Sequence, residues 1–271
     1  MKTLDADQFS PDAVVAELLK GSGAVRLPAL FTPEQVAEVK QFIDEETAVA
    51  GETGSHFNKG NDDALLQRRV WNLLPRKQVF ADMIQHPSII DSMRAFLGTD
   101  FILGSYCASR TMPGFGGQQP HIDYPYWDFY RSNSFPAELN ASFPLNCQAT
   151  FIIDPFTEEN GATAFWPGTY SPLAYPESGA KLPDNGIRMT GNPGDVVLFN
   201  GAAWHCAMPN NSNGGRIGLL IEFLPKFVKP IEDMLTGTDP DFLESANPLI
   251  RQLLGFDYPW PSAPPAPPIS A

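Results

Sequence analysis

His121 and Asp123 stand one residue apart in the run Gln119-Pro120-His121-Ile122-Asp123, and His205 and Arg216 follow much later in the chain. The chain has four histidines, so two of them in one such pattern carry weight. Two imidazoles and one carboxylate form the ligand set of the facial triad, which binds non-haem Fe(II) and leaves positions open for reaction. A guanidinium shortly after the second histidine suits a carboxylate-bearing cosubstrate, because its planar fork grips both carboxylate oxygens. The same three ligands also make a catalytic zinc site with one open position, so a zinc hydrolase or isomerase is a rival reading. The arginine, and the lack of an H-E-x-x-H helix, favour iron. A third reading is a non-catalytic jelly-roll binding module that keeps remnants of the motif. The intact ligand set weighs against it.

Such ligands need elements to hold them. On a strand, His121 and Asp123 would be i and i+2 and would leave the same face. Asp195 to Asn200 reads as a strand followed by a turn, which would deliver His205, and Gly215 to Phe223 reads as a strand that carries Arg216. Further strands are expected at Phe101 to Arg110, Gln148 to Ile153 and Thr163 to Trp166. Pro113-Gly114, Glu159-Asn160-Gly161, Pro167-Gly168 and Pro193-Gly194 punctuate them. Short strands with regular turns predict a mainly β sandwich or jelly roll.

The first hundred residues predict a helical layer over it. Val14, Val15, Leu18 and Leu19 fall at helical spacing in Pro11 to Lys20, with Gly21 as the stop. Ala24 to Pro28 is a short strand. Thr32-Pro33-Glu34-Gln35 has the form of a capping box, opening a helix expected to run to about Ala50. Gly51 to Asp63 reads as a polar loop, and a helix pair is expected at Lys77 to Ile84 and His86 to Leu97. The organisation expected is one domain over residues 1–257, with a helical layer at about 1–99, a jelly-roll core at about 100–225 and a helical segment at about 226–257. Residues 258–271 form a Pro-rich tail.

The net charge of -13, from 31 acidic and 18 basic residues, speaks against a nucleic-acid partner, which demands clustered Lys and Arg. No run approaches the roughly 18 apolar residues of a membrane span, and Met1 to Asp7 has no apolar signal core. Cys107, Cys147 and Cys206 are odd in number and widely spaced, which fits a reducing, cytoplasmic setting. Cys206 follows a candidate ligand, but a strand neighbour points to the opposite face, so it is not assigned to the metal. His56, in a polar loop, and His86, at a helix start, read as structural or solvent-facing.

His121-Ile122-Asp123, Thr157-Glu158-Glu159-Asn160-Gly161-Ala162-Thr163 leading into Pro167-Gly168-Thr169-Tyr170, and then His205 and Arg216 together resemble the phytanoyl-CoA dioxygenase family. The resemblance runs from about Gly23 to Leu224, and the E-N-G-A-T…P-G segment is its more specific part. It implies a double-stranded β-helix (jelly roll) and an Fe(II)- and 2-oxoglutarate-dependent dioxygenase that uses O2 and releases succinate and CO2. Carried over by position, it makes His121, Asp123 and His205 the iron ligands and Arg216 the holder of the 2-oxoglutarate C5 carboxylate. Gln119, Thr150 and Thr163 match further cosubstrate contacts. Ala207 stands where relatives often have serine, so that hydrogen bond is expected to be missing. Retention of Asp123 disfavours halogenation, which needs a small residue there, and leaves hydroxylation of a C–H bond as the expected outcome.

For the substrate, the aromatic run Tyr124, Tyr126, Trp127, Phe129 and Tyr130 is a candidate lid over an apolar or ring-bearing molecule. Arg68, Arg69, Trp71 and Asn72 are candidates to face the same pocket. The absence of a basic cluster suitable for the phosphates of coenzyme A points to a small metabolite, such as a natural-product intermediate, over an acyl-CoA.

Overall fold

The computed structural model describes residues 1–49, 63–130, 143–171, 174–177, 182–236 and 238–255. The chain starts with strand β1 (Lys2–Thr3), helix α1 (Pro11–Lys20), strand β2 (Ala24–Leu27) and helix α2 (Pro33–Glu46). Ser10 caps α1 by accepting the Ala13 N–H, and Val14 and Leu18 point inward. Thr32 and Gln35 make the reciprocal capping box on α2, each side chain accepting the other's backbone N–H. The expected run of this helix to about Ala50 is corrected: it closes at Glu46, where the Thr47 hydroxyl donates back to the Ile43 carbonyl. The loop expected at Gly51 to Asp63 lies, except for Asp63, outside the described residues.

Next come α3 (Asp63–Leu66), β3 (Gln67–Val70), α4 (Gln78–Ile84) and α5 (Pro87–Leu97). The helix pair therefore begins one residue later than expected at each start. Strand β3 was not foreseen, because the paired arginines of Gln67-Arg68-Arg69-Val70 hide the alternation that marks a strand. The β region comprises β4 (Ile102–Thr111), β5 (Cys147–Ile152), β6 (Ala164–Phe165), β7 (Ile187–Arg188), β8 (Val196–Asn200), β9 (His205–Cys206) and β10 (Arg216–Leu224). A short 3-10 helix covers Tyr126–Tyr130, and α6 (Pro240–Ser245) and α7 (Pro248–Leu253) follow the last strand. The Pro-rich segment 258–271 lies outside the described residues.

The strands form two sheets, one ordered β1-β2-β8-β5-β10-β4-β3 and one ordered β7-β6-β9. This is the expected jelly roll with a helical layer. The large sheet is antiparallel except for the β1–β2 pair. Its two faces are sharply divided. On β10, Ile217, Leu219, Ile221 and Phe223 join the core that the N-terminal helices and α7 cover. The alternate residues Arg216, Gly218, Leu220 and Glu222 line a cavity on the other face. Strand β5 repeats the division, with Cys147, Ala149 and Phe151 in the core and Gln148 and Thr150 toward the cavity.

Phe151 sits at the centre of that core, fully buried, with its ring 4.7 Å from Phe31 and 6.3 Å from Tyr106. Phe151→Ala should lower unfolding stability by about 3–5 kcal/mol, the usual range for a buried aromatic lost to a cavity. Urea unfolding measures it, and a change below about 1 kcal/mol would show that the helical layer does not pack on β5 here.

Candidate active site

The cavity has a volume of about 680 Å³ and is walled by the inner faces of β3, β4, β5 and β10, with His121, Asp123 and His205 among its lining. One candidate ligand atom from each of these three residues lies within 4.8 Å of the others. Among the described residues no other histidine, cysteine or carboxylate group assembles in this way.

The two motifs meet through the backbone. His121 and His205 form an antiparallel bridge, each N–H donating to the other's carbonyl at 3.0 Å. The Asp123 N–H donates to the Gly201 carbonyl at 2.9 Å. The expected strand through His121 and Asp123 is corrected to this single bridge, since Pro120 has no N–H to give a ladder and Pro125 follows closely. The two side chains nevertheless converge. His205, likewise, is not at the end of β8 but on its own strand β9 in the smaller sheet.

Both imidazoles are locked in one tautomer. Nδ1 of His121 faces the Gln119 carbonyl at 2.7 Å, and Nδ1 of His205 faces the Ala203 carbonyl at 2.9 Å. A carbonyl only accepts, so each Nδ1 carries the proton and each Nε2 lone pair is left for a metal. Nε2 of His205 lies 3.1 Å from Asp123 Oδ2, and Nε2 of His121 lies 3.9 Å from Oδ1. Burial works against charge on Asp123, but His205 and His121 outweigh it and hold the carboxyl below its ordinary range. Burial likewise opposes protonation of His205, yet the Asp123 charge and hydrogen bond raise its pKa. Two imidazoles and a carboxylate converging on one point are donors that fit a divalent cation such as Fe(II).

Arg216 reaches the same cavity from β10. Its guanidinium lies 4.1 Å over the Phe156 ring, and its Nε donates to the Asn160 carbonyl at 3.2 Å. Gly218 makes that stack possible, since a Cβ there would strike the Phe156 ring. Burial pushes the pKa of Arg216 down to about 9 while Asp154 opposes the shift, so the group stays charged at neutral pH. The E-N-G-A-T segment thus has a physical role. Asn160 aims the arginine, and Gly161, at φ 79°, brings the chain against the Met208 carbonyl, where a Cβ would collide. In the P-G segment, the Thr169 hydroxyl accepts the Trp204 N–H at 2.9 Å, next to His205.

Thr150 and Thr163 line the cavity as expected positions for cosubstrate contact. Gln119 does not: its side chain is exposed, and only its carbonyl acts, on His121. Its neighbour Gln118 lines the cavity instead, and Gln118 Oε1 accepts the Ala207 N–H at 3.0 Å. Arg69 and Trp71 line the cavity, whereas Arg68 turns away to the Thr47 and Ala48 carbonyls and Asn72 gives its N–H to Glu232. Of the aromatic run, Tyr124 and Trp127 line the cavity and Tyr126 is buried beside them. The side chains of Phe129 and Tyr130 lie outside the described residues, as does His56. His86 caps α5 through Nδ1, and Cys206 packs with Ala164 and Trp166 away from the triad.

Sequence reasoning missed Glu222, Glu232 and Gln148 in the lining. Glu222 left a signal, being a lone acid in the apolar run Leu219-Leu220-Ile221-Glu222-Phe223-Leu224. Burial, with Asp123 nearby, raises its carboxyl well above the ordinary range and favours the neutral acid. Glu232 is also raised by burial, though the N–H groups of Tyr106 and Asn72 and the Ser105 hydroxyl work against the shift.

Residues 19–218 match the family model described as Phytanoyl-CoA dioxygenase (PhyH). Dioxygenase trt7 of Aspergillus terreus is 27% identical over 249 residues, covering 89% of this chain and 82% of that protein. Dioxygenase cdmA of Talaromyces verruculosus is 27% identical over 259 residues, covering 91% and 83%. Among solved structures, the non-heme alpha ketoglutarate dependent epimerase SnoN from nogalamycin biosynthesis superposes with a TM-score of 0.61 at 16% identity, covering 85% of this chain and 92% of that one. HygX from Streptomyces hygroscopicus, with nickel and 2-oxoglutarate bound, superposes with a TM-score of 0.58 at 15% identity, covering 80% and 88%. At these identities the two structures speak to the fold.

A metal competes with a proton for Nε2 of His205, whose proton affinity Asp123 raises. Divalent-metal affinity should therefore fall by at least about tenfold between about pH 8 and about pH 6, measured by anaerobic Fe(II) titration. An affinity that holds constant across that range would contradict the tautomer and ligand assignment.

Proposed function

Because the chain belongs to the phytanoyl-CoA dioxygenase family, we propose that His121, Asp123 and His205 hold the Fe(II), and Arg216 the cosubstrate, of a 2-oxoglutarate-dependent dioxygenase. The observation that carries this reading is the three ligand atoms within 4.8 Å sharing one cavity with a buried, charged arginine. Bound iron and 2-oxoglutarate supply the chemistry, coupling O2 consumption and release of succinate and CO2 to oxidation of a substrate C–H bond.

The chain's own residues do the positioning. The Gln119 and Ala203 carbonyls keep the Nε2 atoms of His121 and His205 turned inward. Arg216, backed by Phe156 and Asn160, offers its remaining N–H groups to the C5 carboxylate, which gives the buried cation a full partner. Thr150 and Thr163 offer hydroxyls along the same wall. Trp71, Tyr124, Trp127 and Leu220 contribute apolar surface that seats the substrate and excludes water. A zinc hydrolase has no use for the buried arginine, and a bare binding module has no use for two pre-set tautomers.

The substrate is a small organic metabolite rather than an acyl-CoA. Arg69 and Arg216 are the basic side chains among the described lining residues, too few for the several phosphates of coenzyme A once Arg216 is engaged. Among the proteins similar in fold, SnoN acts in nogalamycin biosynthesis, which supports a natural-product intermediate. Hydroxylation is the outcome we assign, since Asp123 completes the triad. No helix among the described residues is long and apolar enough to cross a membrane.

Anaerobic addition of Fe(II) and 2-oxoglutarate should produce a weak visible charge-transfer band, and admission of O2 should yield succinate. Preferential zinc retention with no band and no succinate would overturn the assignment. Arg216→Ala should raise the KM for 2-oxoglutarate at least about tenfold, the order expected when a charge-assisted bidentate contact of about 1.5–3 kcal/mol is lost. An unchanged KM would remove Arg216 from the cosubstrate site.

A further inference from the structure

Glu222 is the one lining carboxylate that the triad and the local fold leave incompletely used. It is 4% exposed, on the same face of β10 as Arg216 but six residues further along, about 20 Å away at the rise of a strand. Its Oε1 accepts from Asn146 Nδ2 at 2.7 Å and from Gln148 Nε2 at 3.5 Å. Its Oε2 has no hydrogen-bond partner among the described residues. Glu232 is the contrast, because its two oxygens take the N–H groups of Asn72 and Tyr106 and the Ser105 hydroxyl. Glu232 is tied into the fold through both oxygens, and Glu222 through one.

The surroundings of Glu222 are shaped for it. Gly104 faces it across the β4–β10 pair at the point where the register slips, between Glu222 and Phe223. A Cβ at Gly104 would collide with Oε2, so the glycine leaves the carboxyl its room. Gln148 and Ser105 pair with Glu222 on either side in the sheet and line the same cavity, making one polar row. Toward the mouth the lining turns apolar, with Trp71 and Ile231 both substantially exposed. A cavity with a polar end, a metal site along one wall and an apolar mouth fits a molecule of matching polarity.

Resting on the dioxygenase reading, we propose that Glu222 is a specificity-determining residue that anchors a hydroxyl group of an otherwise apolar, ring-bearing substrate. The hydroxyl end reaches the Glu222–Gln148 row, the ring body lies against Trp71, Trp127 and Ile231, and 2-oxoglutarate occupies the Arg216 end. A residue kept for binding carries a liability in the empty protein, since an unpartnered buried oxygen is destabilising. A residue kept for the fold carries none.

The test has two arms. In thermal unfolding without substrate, Glu222→Met should hold the midpoint within about 2 °C of the native chain, because removing the idle, destabilising Oε2 offsets the loss of the Asn146 and Gln148 hydrogen bonds at Oε1. Glu222→Gln, which keeps an acceptor for Asn146 and Gln148, should unfold no lower than the native chain. In the second arm, quenching of tryptophan fluorescence in the Fe(II)- and 2-oxoglutarate-loaded protein reports binding of decahydro-2-naphthol and of decalin, which lacks the hydroxyl. The native chain should prefer the alcohol at least about tenfold, the worth of one well-made hydrogen bond, and Glu222→Met should cut the preference below about twofold. A lowered midpoint in both variants makes Glu222 structural and overturns the proposal. So does an absent alcohol preference in the native chain, or one that survives in Glu222→Met. Failure of the dioxygenase reading is separately visible, as loss of the Fe(II)–2-oxoglutarate absorption band in the native chain.

Discussion

Two main-chain hydrogen bonds between His121 and His205 set the geometry on which the remaining site depends. In a hydrogen-bonded antiparallel pair the two Cα atoms stand about 5.5 Å apart, so the imidazoles have little freedom to separate; their ring centroids lie 4.5 Å apart. The bridge is braced from both sides. The Asn200 side chain accepts the Ala202 N–H and donates to the Leu18 carbonyl, fixing the turn before His205 to helix α1. Gln118 and Ala207 exchange two more hydrogen bonds just beyond it. The metal-binding tautomers then follow without further adjustment, since the same turns that make the bridge present the Gln119 and Ala203 carbonyls to Nδ1.

The large sheet solves a second problem, that of burying charge. Its helix-facing side is apolar except at the β3–β4 edge, where Arg68 and Arg110 reach the C-terminal end of α2, and its other side carries Arg216, Glu222, Gln148 and Thr150 at strand spacing. A buried arginine is tolerated only where its hydrogen bonds and its charge are met. Arg216 has the Asn160 carbonyl, the Phe156 face and the Asp154 field on the protein side. Its remaining donors point to a dicarboxylate, so the cost of holding this cation is offset by cosubstrate.

Much of this was legible in the amino-acid sequence, for identifiable reasons. Helices α1 and α2 announced themselves through caps and spacing, and β10 through its length and apolar content. The metal residues were legible because their types are rare in combination. Other features depend on partners far away in the chain. Strand β3 exists because it pairs with β4 from Gln67↔Thr111 to Val70↔Ala108, which no local pattern in two arginines reveals. The choice between Gln118 and Gln119 turns on one residue of register in a segment broken by Pro120, and only the fold decides it. Glu232 enters the cavity through a connection after β10 whose sequence has no periodicity to read.

That connection has a bearing on how such proteins diverge. The stretch from Lys226 to Thr236 is pinned at one point by Glu232, which clasps the N–H groups of Asn72 and Tyr106, and at another by the Lys229 carbonyl, which receives the Tyr124 hydroxyl at 2.7 Å. Between those fastenings Ile231 lines the mouth. The rim is therefore a replaceable part, carried on a different segment from the histidines and the arginine. A change of side chain at Ile231 reshapes the mouth without touching His121, His205 or Arg216. A lineage can try new feedstocks here one side chain at a time, and a protein engineer wishing to change substrate scope would begin at the same place.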